Sequence, residues 1–260
     1  MISVLFIGDI CGKPGRYAVK KNLPTIVEQY NIDFVIANGE NASHGRGLNY
    51  SHYKELVSYG INCITMGNHF FGADEILHNM DNYVNLIRPA NFAENVPGIG
   101  TKVFKVKDKK LRVTNLIGMS EIQYLGQSNP FIVANDIVTK DDSDIHIIDF
   151  HAEATGEKGA LARFFDGKVS AVIGTHTHVQ TNDARILPCG TGFMSDVGSC
   201  CAYQSILGME AEAVINRTAF GLPERFTVAT SGEQQFNAVV LVFNEENKIC
   251  SLKPIFIVSL

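Results

Sequence analysis

The sequence is poor in charge, and its charged residues are not arranged for binding a nucleic-acid duplex. Charged residues make up 19% of the 260, acidic residues outnumber Lys and Arg by 27 to 22, and the formal net charge is -5. We interpret one basic cluster as the solvated surface of a hairpin: Lys105, Lys107, Lys109, Lys110 and Arg112. These features argue against duplex DNA binding, whereas the 45% of hydrophobic residues indicates a packed globular protein.

Long apolar segments and paired cysteines are also missing. No run approaches the roughly 18 apolar residues that a membrane helix requires. The apolar run near the N-terminus, VLFI, is far shorter than a signal peptide of about 15–30 residues. The six cysteines form no C-x-x-C pair, so we interpret them as reduced thiols packed like small apolar side chains. We therefore expect a cytoplasmic protein that does not bind membranes.

Two familiar catalytic motifs are absent as well. The segment from Gly8 to Lys13 is one residue short of phosphate-loop spacing, and Pro14 stands where the hydroxyl ligand to magnesium belongs. No G-x-S-x-G is present, so Ser43 and Ser195 have no support as nucleophiles. The sequence therefore favours neither a phosphate-loop nucleotide site nor a serine hydrolase.

The apolar runs alternate with segments of helical spacing, which is typical of an α/β fold. We predict strands at 4–7, 34–37, 63–66, 145–150 and 169–174. We predict helices near 13–30, 50–59 with Ser51 as N-cap, 73–80, 157–165 and 205–216. Residues 102–118 and 237–258 read as antiparallel hairpins, so the sheets should be mixed. Without a repeat or linker, residues 1–260 should form one domain.

Metal-binding side chains follow a predicted strand five times. The five segments are Gly8-Asp9, Gly39-Glu40-Asn41, Gly67-Asn68-His69, the run DFHAE that contains His151, and Gly174-Thr-His176-Thr-His178. Because ligands bind beyond the carboxyl ends of the strands in α/β sheets, we expect these side chains to converge. The preceding glycines should let the backbone turn sharply and approach an ion or phosphate closely. His176 and His178 should project from the same side of an extended segment.

The chemistry of these ligands suits a pair of divalent cations. Carboxylates, amides and imidazoles supply oxygen and nitrogen ligands without any thiolate, and such a set accepts iron, manganese, zinc or magnesium. Two such ions with two carboxylates leave a net positive site that attracts phosphate. Taken singly, Asp9 and Asn68 also have ordinary interpretations as turn residues, and His151 as a hydrogen-bonded core histidine.

Read in chain order, DICGKPGR, NGENA, GNH, DFHAEAT and GTHTHV resemble the motifs of the calcineurin-like metallophosphoesterases, in particular the bacterial YmdB-like branch of 2′,3′-cyclic-nucleotide 2′-phosphodiesterases. The resemblance implies an α/β/β/α sandwich of two mixed sheets. It also implies a first metal held by Asp9, Glu40, Asn41 and His178, and a second held by Glu40, Asn68, His151 and His176. His69 would be the catalytic histidine.

The chain departs from the usual motifs of that superfamily at four places. Cys11 replaces the histidine of Asp-x-His, and Glu40 replaces an aspartate. Phe70-Phe71-Gly72 stands where Thr-Trp-Asp is usual, and Cys189-Gly190-Thr191 where Gly-Gly-Thr is usual. The last two changes concern the pocket wall rather than the predicted ligands.

The function implied by the resemblance is hydrolysis of a small phosphodiester such as a 2′,3′-cyclic nucleotide. Two divalent ions about 3.5–4 Å apart, with iron or manganese favoured, would hold the phosphate while a bridging hydroxide attacks phosphorus. We expect Asp149, Glu153 and Asp196 to accept imidazole N–H groups, and His44 to lie at the pocket rim. The alternatives are a phosphomonoesterase, a nuclease acting on RNA ends, or a regulatory protein with a structural metal. Homo-oligomerisation stays open.

Overall fold

The architecture consists of two β-sheets with helices on their outer faces, in a computed structural model that describes residues 1–122, 124 and 126–259. The strands are β1 (Ile2–Ile7), β2 (Asp9–Ile10), β3 (Phe34–Asn38), β4 (Cys63–Thr65), β5 (Leu86–Ile87), β6 (Thr101–Val106), β7 (Lys109–Ile117), β8 (Ile145–His151), β9 (Ala171–Thr175), β10 (Arg185–Ile186), β11 (Gly192–Met194), β12 (Ser199–Ala202), β13 (Gln234–Phe243) and β14 (Ile249–Ser259). The α-helices are α1 (Gly12–Tyr30), α2 (Tyr50–Ser58), α3 (Glu75–His78), α4 (Pro130–Val138), α5 (Thr155–Phe164) and α6 (Ala211–Phe220).

Both sheets are mixed, as predicted. The first has the order β2-β12-β13-β1-β3-β4-β5 with β14 paired to β13, and the second has the order β10-β11-β9-β8-β7-β6. Neighbouring strands are parallel from β1 through β3 and β4 to β5, and from β7 through β8 and β9 to β11. Parallel strands share one carboxyl edge, so the segments after β3 and β4, and those after β8 and β9, lie at a common edge of each sheet.

The apolar residues form three layers, which define an α/β/β/α sandwich. Side chains alternate along β1, so Phe6 packs between the sheets with Ile147, while Ile7 packs outward against Leu23 of α1. On the far side, Phe150 of β8 packs with α4 and α5. Each fully buried side chain of this size contributes about 1.5–3 kcal/mol, so the layers account for much of the folding free energy. The predicted sandwich is confirmed.

The two predicted hairpins are also confirmed. Strands β6 and β7 pair from Thr101 opposite Thr114 to Val106 opposite Lys109. Strands β13 and β14 pair along most of their lengths, with an irregularity near Phe243. The hairpin at β6 and β7 carries the basic cluster, and its charged side chains there are mostly exposed or half-buried.

Some predicted helices are wrong in position or length. The helix expected at 73–80 is a four-residue α3 between the 3-10 turns Phe70–Gly72 and Met80–Asn82. The helix expected at 205–216 begins at Ala211 instead, and none of its residues is buried. The N-cap of α2 is Asn49 rather than Ser51, because the Asn49 side chain accepts the His52 N–H at 2.9 Å.

None of the helices in the described ranges has the length and apolar composition needed to cross a membrane. All six cysteines are free thiols, and Cys189 and Cys250 are the exposed ones. Burial raises the pKa of Cys11 to about 12, so its thiol stays protonated at neutral pH.

Candidate metal centre

Side chains predicted as metal ligands come together from both sheets where the predicted strands end. Glu40 Oε1 lies 3.2 Å from His151 Nε2, which lies 2.8 Å from Asn68 Oδ1 and 3.1 Å from His176 Nδ1. Ligand atoms of Glu40, His151 and His176 all lie within 4.8 Å of one another. Asp9 Oδ1 lies 3.8 Å from the other ring nitrogen of His151. Residues far apart in the chain are therefore brought into one buried group.

The remaining predicted residues line the pocket above this group. Asn41, His69 and His178 share a pocket with Glu40 and His176. The His69 N–H donates to Glu40 Oε2 at 2.8 Å, which fixes the histidine beside the carboxylate. His178 Nδ1 lies 3.0 Å from the carbonyl oxygen of Leu207, and His178 is not part of the compact group. His44 has an exposed side chain in the neighbouring loop.

Three buried polar atoms at the centre have no hydrogen-bond partner among the described residues. They are Asp9 Oδ1, Asn41 Oδ1 and His69 Nδ1. Asp9 is 0% exposed and Asn41 is 3% exposed, so bulk solvent hardly reaches either side chain. A buried polar atom left unpaired costs about 1–3 kcal/mol, and hard oxygen atoms are the ligands that divalent cations prefer. The donor set therefore fits cations on chemical grounds.

The glycines that precede the ligands act by leaving space rather than by turning the backbone. A Cβ added at Gly67 would lie 2.2 Å from His151 Cδ2 and 2.5 Å from Glu40 Oε2, and one added at Gly174 would lie 1.8 Å from the Ser195 carbonyl oxygen. None of the four preceding glycines has a positive φ. These glycines therefore do not use the left-handed conformations that glycine favours, but they allow neighbouring protein atoms to approach the backbone closely, and the predicted approach to an ion or phosphate stays a prediction.

The segment that carries His176 and His178 is not extended, contrary to prediction. The φ angles are 105° at His176 and 64° at His178, so both residues lie in the left-handed region. Such conformations cost about 1–3 kcal/mol for a residue with a side chain, and they persist where the surroundings enforce them. The two imidazoles reach the pocket because the backbone bends after β9.

A buried ion pair holds this bend. Asp196 Oδ2 accepts the Thr177 N–H at 2.9 Å and a Lys158 Nζ proton at 2.8 Å. Both charged side chains are at most 1% exposed. The His176 N–H donates to Asp9 Oδ2 at 3.1 Å, which ties the bend to the first sheet. Asp196 therefore accepts a backbone N–H and not the imidazole proton that the sequence predicted.

The hydrogen-bond network assigns the tautomer of His151. Its Nδ1 lies 2.9 Å from Thr175 Oγ1, and the Thr175 hydroxyl donates to Asp149 Oδ1 at 2.8 Å. Because a hydroxyl has one proton, Thr175 accepts from His151 Nδ1–H, although Asn38 Nδ2 also lies 3.3 Å from that nitrogen. Nε2 is then the ring nitrogen that faces the predicted ligands, and it would bind a cation once its proton is displaced. Asp149 thus acts through Thr175, which sequence reasoning missed because a hydroxyl carries no ligand signal.

Glu153 fixes His176 in the way that the sequence predicted. His176 Nε2 lies 3.0 Å from Glu153 Oε2, so this nitrogen donates its proton to the carboxylate. The Nδ1 atom is then left to face His151 and the ligand group.

Mutual electrostatics shift the ionisation of the buried ligands. Burial raises the pKa of Asp9 to about 6. Burial opposes ionisation of Glu40 as well, but the charge and hydrogen bond of His151 lower the pKa of Glu40 to about 2. Burial likewise opposes protonation of His151, yet the adjacent carboxylates raise its pKa to about 9. In this structure the proton of His151 lies beside the carboxylates of Glu40 and Asp9. A metal cation would suit the same position, because it would replace that positive charge.

A family model of YmdB-like proteins matches residues 5–255. The chain belongs to the YmdB-like family. It is 45% identical over 247 residues to a 2′,3′-cyclic-nucleotide 2′-phosphodiesterase of Bacillus subtilis (strain 168), and the match covers 94% of this chain and 92% of that protein.

Solved structures agree with this YmdB-like assignment. A structure described as a novel phosphatase from Mycoplasma pneumoniae is 39% identical with a TM-score of 0.94, covering 99% of this chain and 93% of that one. A hypothetical protein of Thermus thermophilus is 36% identical with a TM-score of 0.93, and both chains are covered completely. The NAD nucleotidase of Haemophilus influenzae is 12% identical with a TM-score of 0.61. The match covers 99% of this chain and 56% of the nucleotidase chain, and it shows a shared fold alone.

Proposed function

We propose that this YmdB-like chain hydrolyses 2′,3′-cyclic nucleotides at a centre of two divalent cations. The observation that carries the proposal is the convergence of Glu40, His151 and His176 within 4.8 Å beside the unpartnered oxygens of Asp9 and Asn41. Similarity to the Bacillus subtilis enzyme supports the substrate class. When bound, the cations would neutralise the phosphate and activate water as the nucleophile.

The proposed ligands divide between the two cations. One would be held by Asp9, Glu40, Asn41 and His178, and the other by Glu40, Asn68, His151 and His176. Iron or manganese suits this oxygen and nitrogen set, with zinc and magnesium as alternatives. Cys11 is left out because oxygen and nitrogen ligands supply both sites without a thiolate.

His69 is proposed to act on the departing ribose oxygen. Its N–H anchors it to Glu40, and burial lowers the pKa of its imidazole, so the ring is neutral. A neutral imidazole still donates a hydrogen bond, and such assistance to a leaving oxygen is worth about 10²–10⁴ in rate. His69 lines the pocket with Glu40 and His176, and its buried Nδ1 has no partner among the described residues.

The proposal is tested by the product of 2′,3′-cyclic AMP turned over by manganese- or iron-loaded protein. Cleavage of the ester to the 2′-oxygen yields 3′-AMP, and this is the expected isomer. Formation of 2′-AMP would show that the 3′-oxygen is the leaving group instead. Faster turnover of a phosphomonoester or of short RNA, assayed side by side, would favour a phosphomonoesterase or a nuclease acting on RNA ends.

A further inference from the structure

The pocket above the candidate metal centre has an apolar half that the mechanism does not use. It is supplied by one stretch of chain, residues 203–228, which we name the cover segment. Five side chains of the cover segment line the pocket: Ile206, Leu207, Met209, Val214 and Phe226. The facing half carries the acids, amides and imidazoles of the centre. The pocket volume is about 340 Å³, within the range of pockets that bind small organic ligands.

Backbone contacts close the cover segment on itself, and it packs against the loop that follows Asn41. Met209 and Val228 form an antiparallel bridge, and the Glu210 N–H donates to the Thr227 carbonyl at 2.9 Å. A Cβ added at Gly45 would lie 2.6 Å from Val228 Cγ2, so the segment is seated directly on the loop that follows Asn41. The apolar half is therefore a fixed wall of the same pocket.

Phe226 is the one phenyl or phenol ring among the described residues that line this pocket. The side chain is 41% exposed, and the guanidinium carbon of Arg217 lies 5.1 Å from the ring centroid. A cation at this distance is attracted to the face of the ring and favours this position of the side chain. Aromatic rings of this kind stack on nucleobases whatever the base, because every base has a π face.

We infer that the cover segment, through Phe226, holds the nucleobase of the substrate while the phosphate lies at the metal centre. The inference rests on the proposed function and adds the site for the organic half of the substrate. The five lining side chains of the cover segment offer no hydrogen-bonding group, so the wall accepts different bases and favours the larger purines by contact area. Base identity is thus selected weakly, whereas the presence of a base matters strongly.

The test uses two substrates with the same cyclic phosphate. Phe226→Ala and wild type are assayed on 2′,3′-cyclic AMP and on ribose 2′,3′-cyclic phosphate, which has no base. We expect kcat/KM for the nucleotide to fall by about 10- to 100-fold, chiefly through KM, with the ribose substrate unchanged. Phe226→Tyr should restore the nucleotide reaction. Phe220→Ala is the matched control, because Phe220 is 70% exposed on α6 and does not line the pocket.

If Phe226→Ala loses kcat/KM equally on both substrates, or loses none on either, the inference is overturned. It is also overturned if the wild-type protein has the same kcat/KM for the nucleotide and for the ribose substrate. If the wild-type protein turns over neither substrate, the proposed function is wrong, and the inference about the base site is decided by binding instead. Calorimetric binding of 3′-AMP against ribose 3-phosphate then decides the inference. Tighter 3′-AMP binding that Phe226→Ala removes would support it, and equal binding of the two would overturn it.

Discussion

His69 differs from the other histidines of the site because no described residue fixes its ring strongly. Both ring nitrogens of His151 and of His176 lie within hydrogen-bond distance of a neighbour, and His178 contacts a carbonyl oxygen. His69 has a buried Nδ1 without a partner, and its Nε2 lies 3.4 Å from Asn68 Nδ2. A ring that is placed by its backbone but not paired is suited to meet a ligand.

We predict that His69→Ala keeps both cations and the thermal stability of wild type while losing catalysis. Turnover of 2′,3′-cyclic AMP should fall by about 10²–10⁴, because the departing ribose oxygen loses its hydrogen-bond donor. A substrate with a p-nitrophenolate leaving group should lose much less. Metal analysis and paired rate measurements check this, with His78→Ala as control, because His78 is exposed on α3. Loss of a cation would instead make His69 a ligand.

The sequence indicated which residue types gather at the centre, but not the residues that orient them. Ligand chemistry at strand ends is visible because Asp, Glu, Asn and His stand out after apolar runs. Thr175 and Lys158 carry no such signal, and their roles depend on distances of 2.9 Å to His151 and 2.8 Å to Asp196 that only the fold creates. Assignment of each residue to a particular cation stays a prediction.

At the scale of elements, the long strands were predicted, whereas the short strands β2, β5, β10, β11 and β12 were not. Buried strands such as β1 and β8 are continuous apolar runs, so the sequence displays them directly. Helix α4 was missed because its sequence, PFIVANDIV, is rich in β-branched residues, and its start is set by the Asn129 side chain accepting the Phe131 N–H. Helix α6 was misplaced because it buries no residue and therefore shows no core-facing stripe.

The bend after β9 depends on the buried pair of Lys158 and Asp196. We predict that Lys158→Met lowers the free energy of unfolding by about 3–5 kcal/mol, because Asp196 is left as a buried unpaired charge. Activity should fall as well, since Asp196 holds the backbone between His176 and His178. Urea denaturation measures the loss. Lys140→Met on the exposed end beyond α4 is the control, and an equal effect there would contradict the account.

A second, partly buried network joins β7 to β8 and should make stability depend on acidic pH. Asp141 Oδ1 lies 2.7 Å from Arg112 Nε, and its Oδ2 lies 2.7 Å from His146 Nδ1. Burial acts against the charged carboxylate, yet these hydrogen bonds hold the pKa of Asp141 well below its usual range. Below about pH 3.9 the Asp141 carboxylate is therefore protonated in the unfolded chain but still ionised in the folded chain. The free energy of unfolding that this group contributes at neutral pH is lost on acidification.

We predict that Asp141→Asn lowers the free energy of unfolding at pH 7 by about 1.5–3 kcal/mol and flattens its decline below pH 4. Denaturation curves at a series of pH values check both effects. Asp142→Asn is the matched control, because the Asp142 side chain is 72% exposed and its ion pair is screened by solvent. An unchanged acid slope in Asp141→Asn would show that other groups control the decline.

At the scale of the whole molecule, the candidate centre joins the two sheets. Asp9, Glu40 and Asn68 belong to or follow strands of the first sheet, while His151 and His176 end or follow strands of the second. Cations at this edge would therefore bind the folded state and tie the sheets together. We propose that residues 1–260 unfold as one domain, because the middle apolar layer draws on both sheets.

We predict that a chelator lowers the melting temperature of the metal-loaded protein by several degrees. A cation at about 100 times its Kd contributes about 2.7 kcal/mol, and about 1 kcal/mol corresponds to roughly 2–4 °C in a chain of this size. Scanning calorimetry should show one transition before and after chelation. His151→Ala should reduce the shift, since it removes a proposed ligand. A shift of the same size in that variant would exclude His151 from the metal site.

The anomalous difference map of a manganese-loaded crystal tests the central claim most directly. Two peaks are expected at the carboxyl edge of the sheets, one beside Asp9 and Asn41 and one beside His151 and His176, with Glu40 between them and within reach of both. A single peak, or two peaks whose ligands are other residues, would contradict the proposed dinuclear centre.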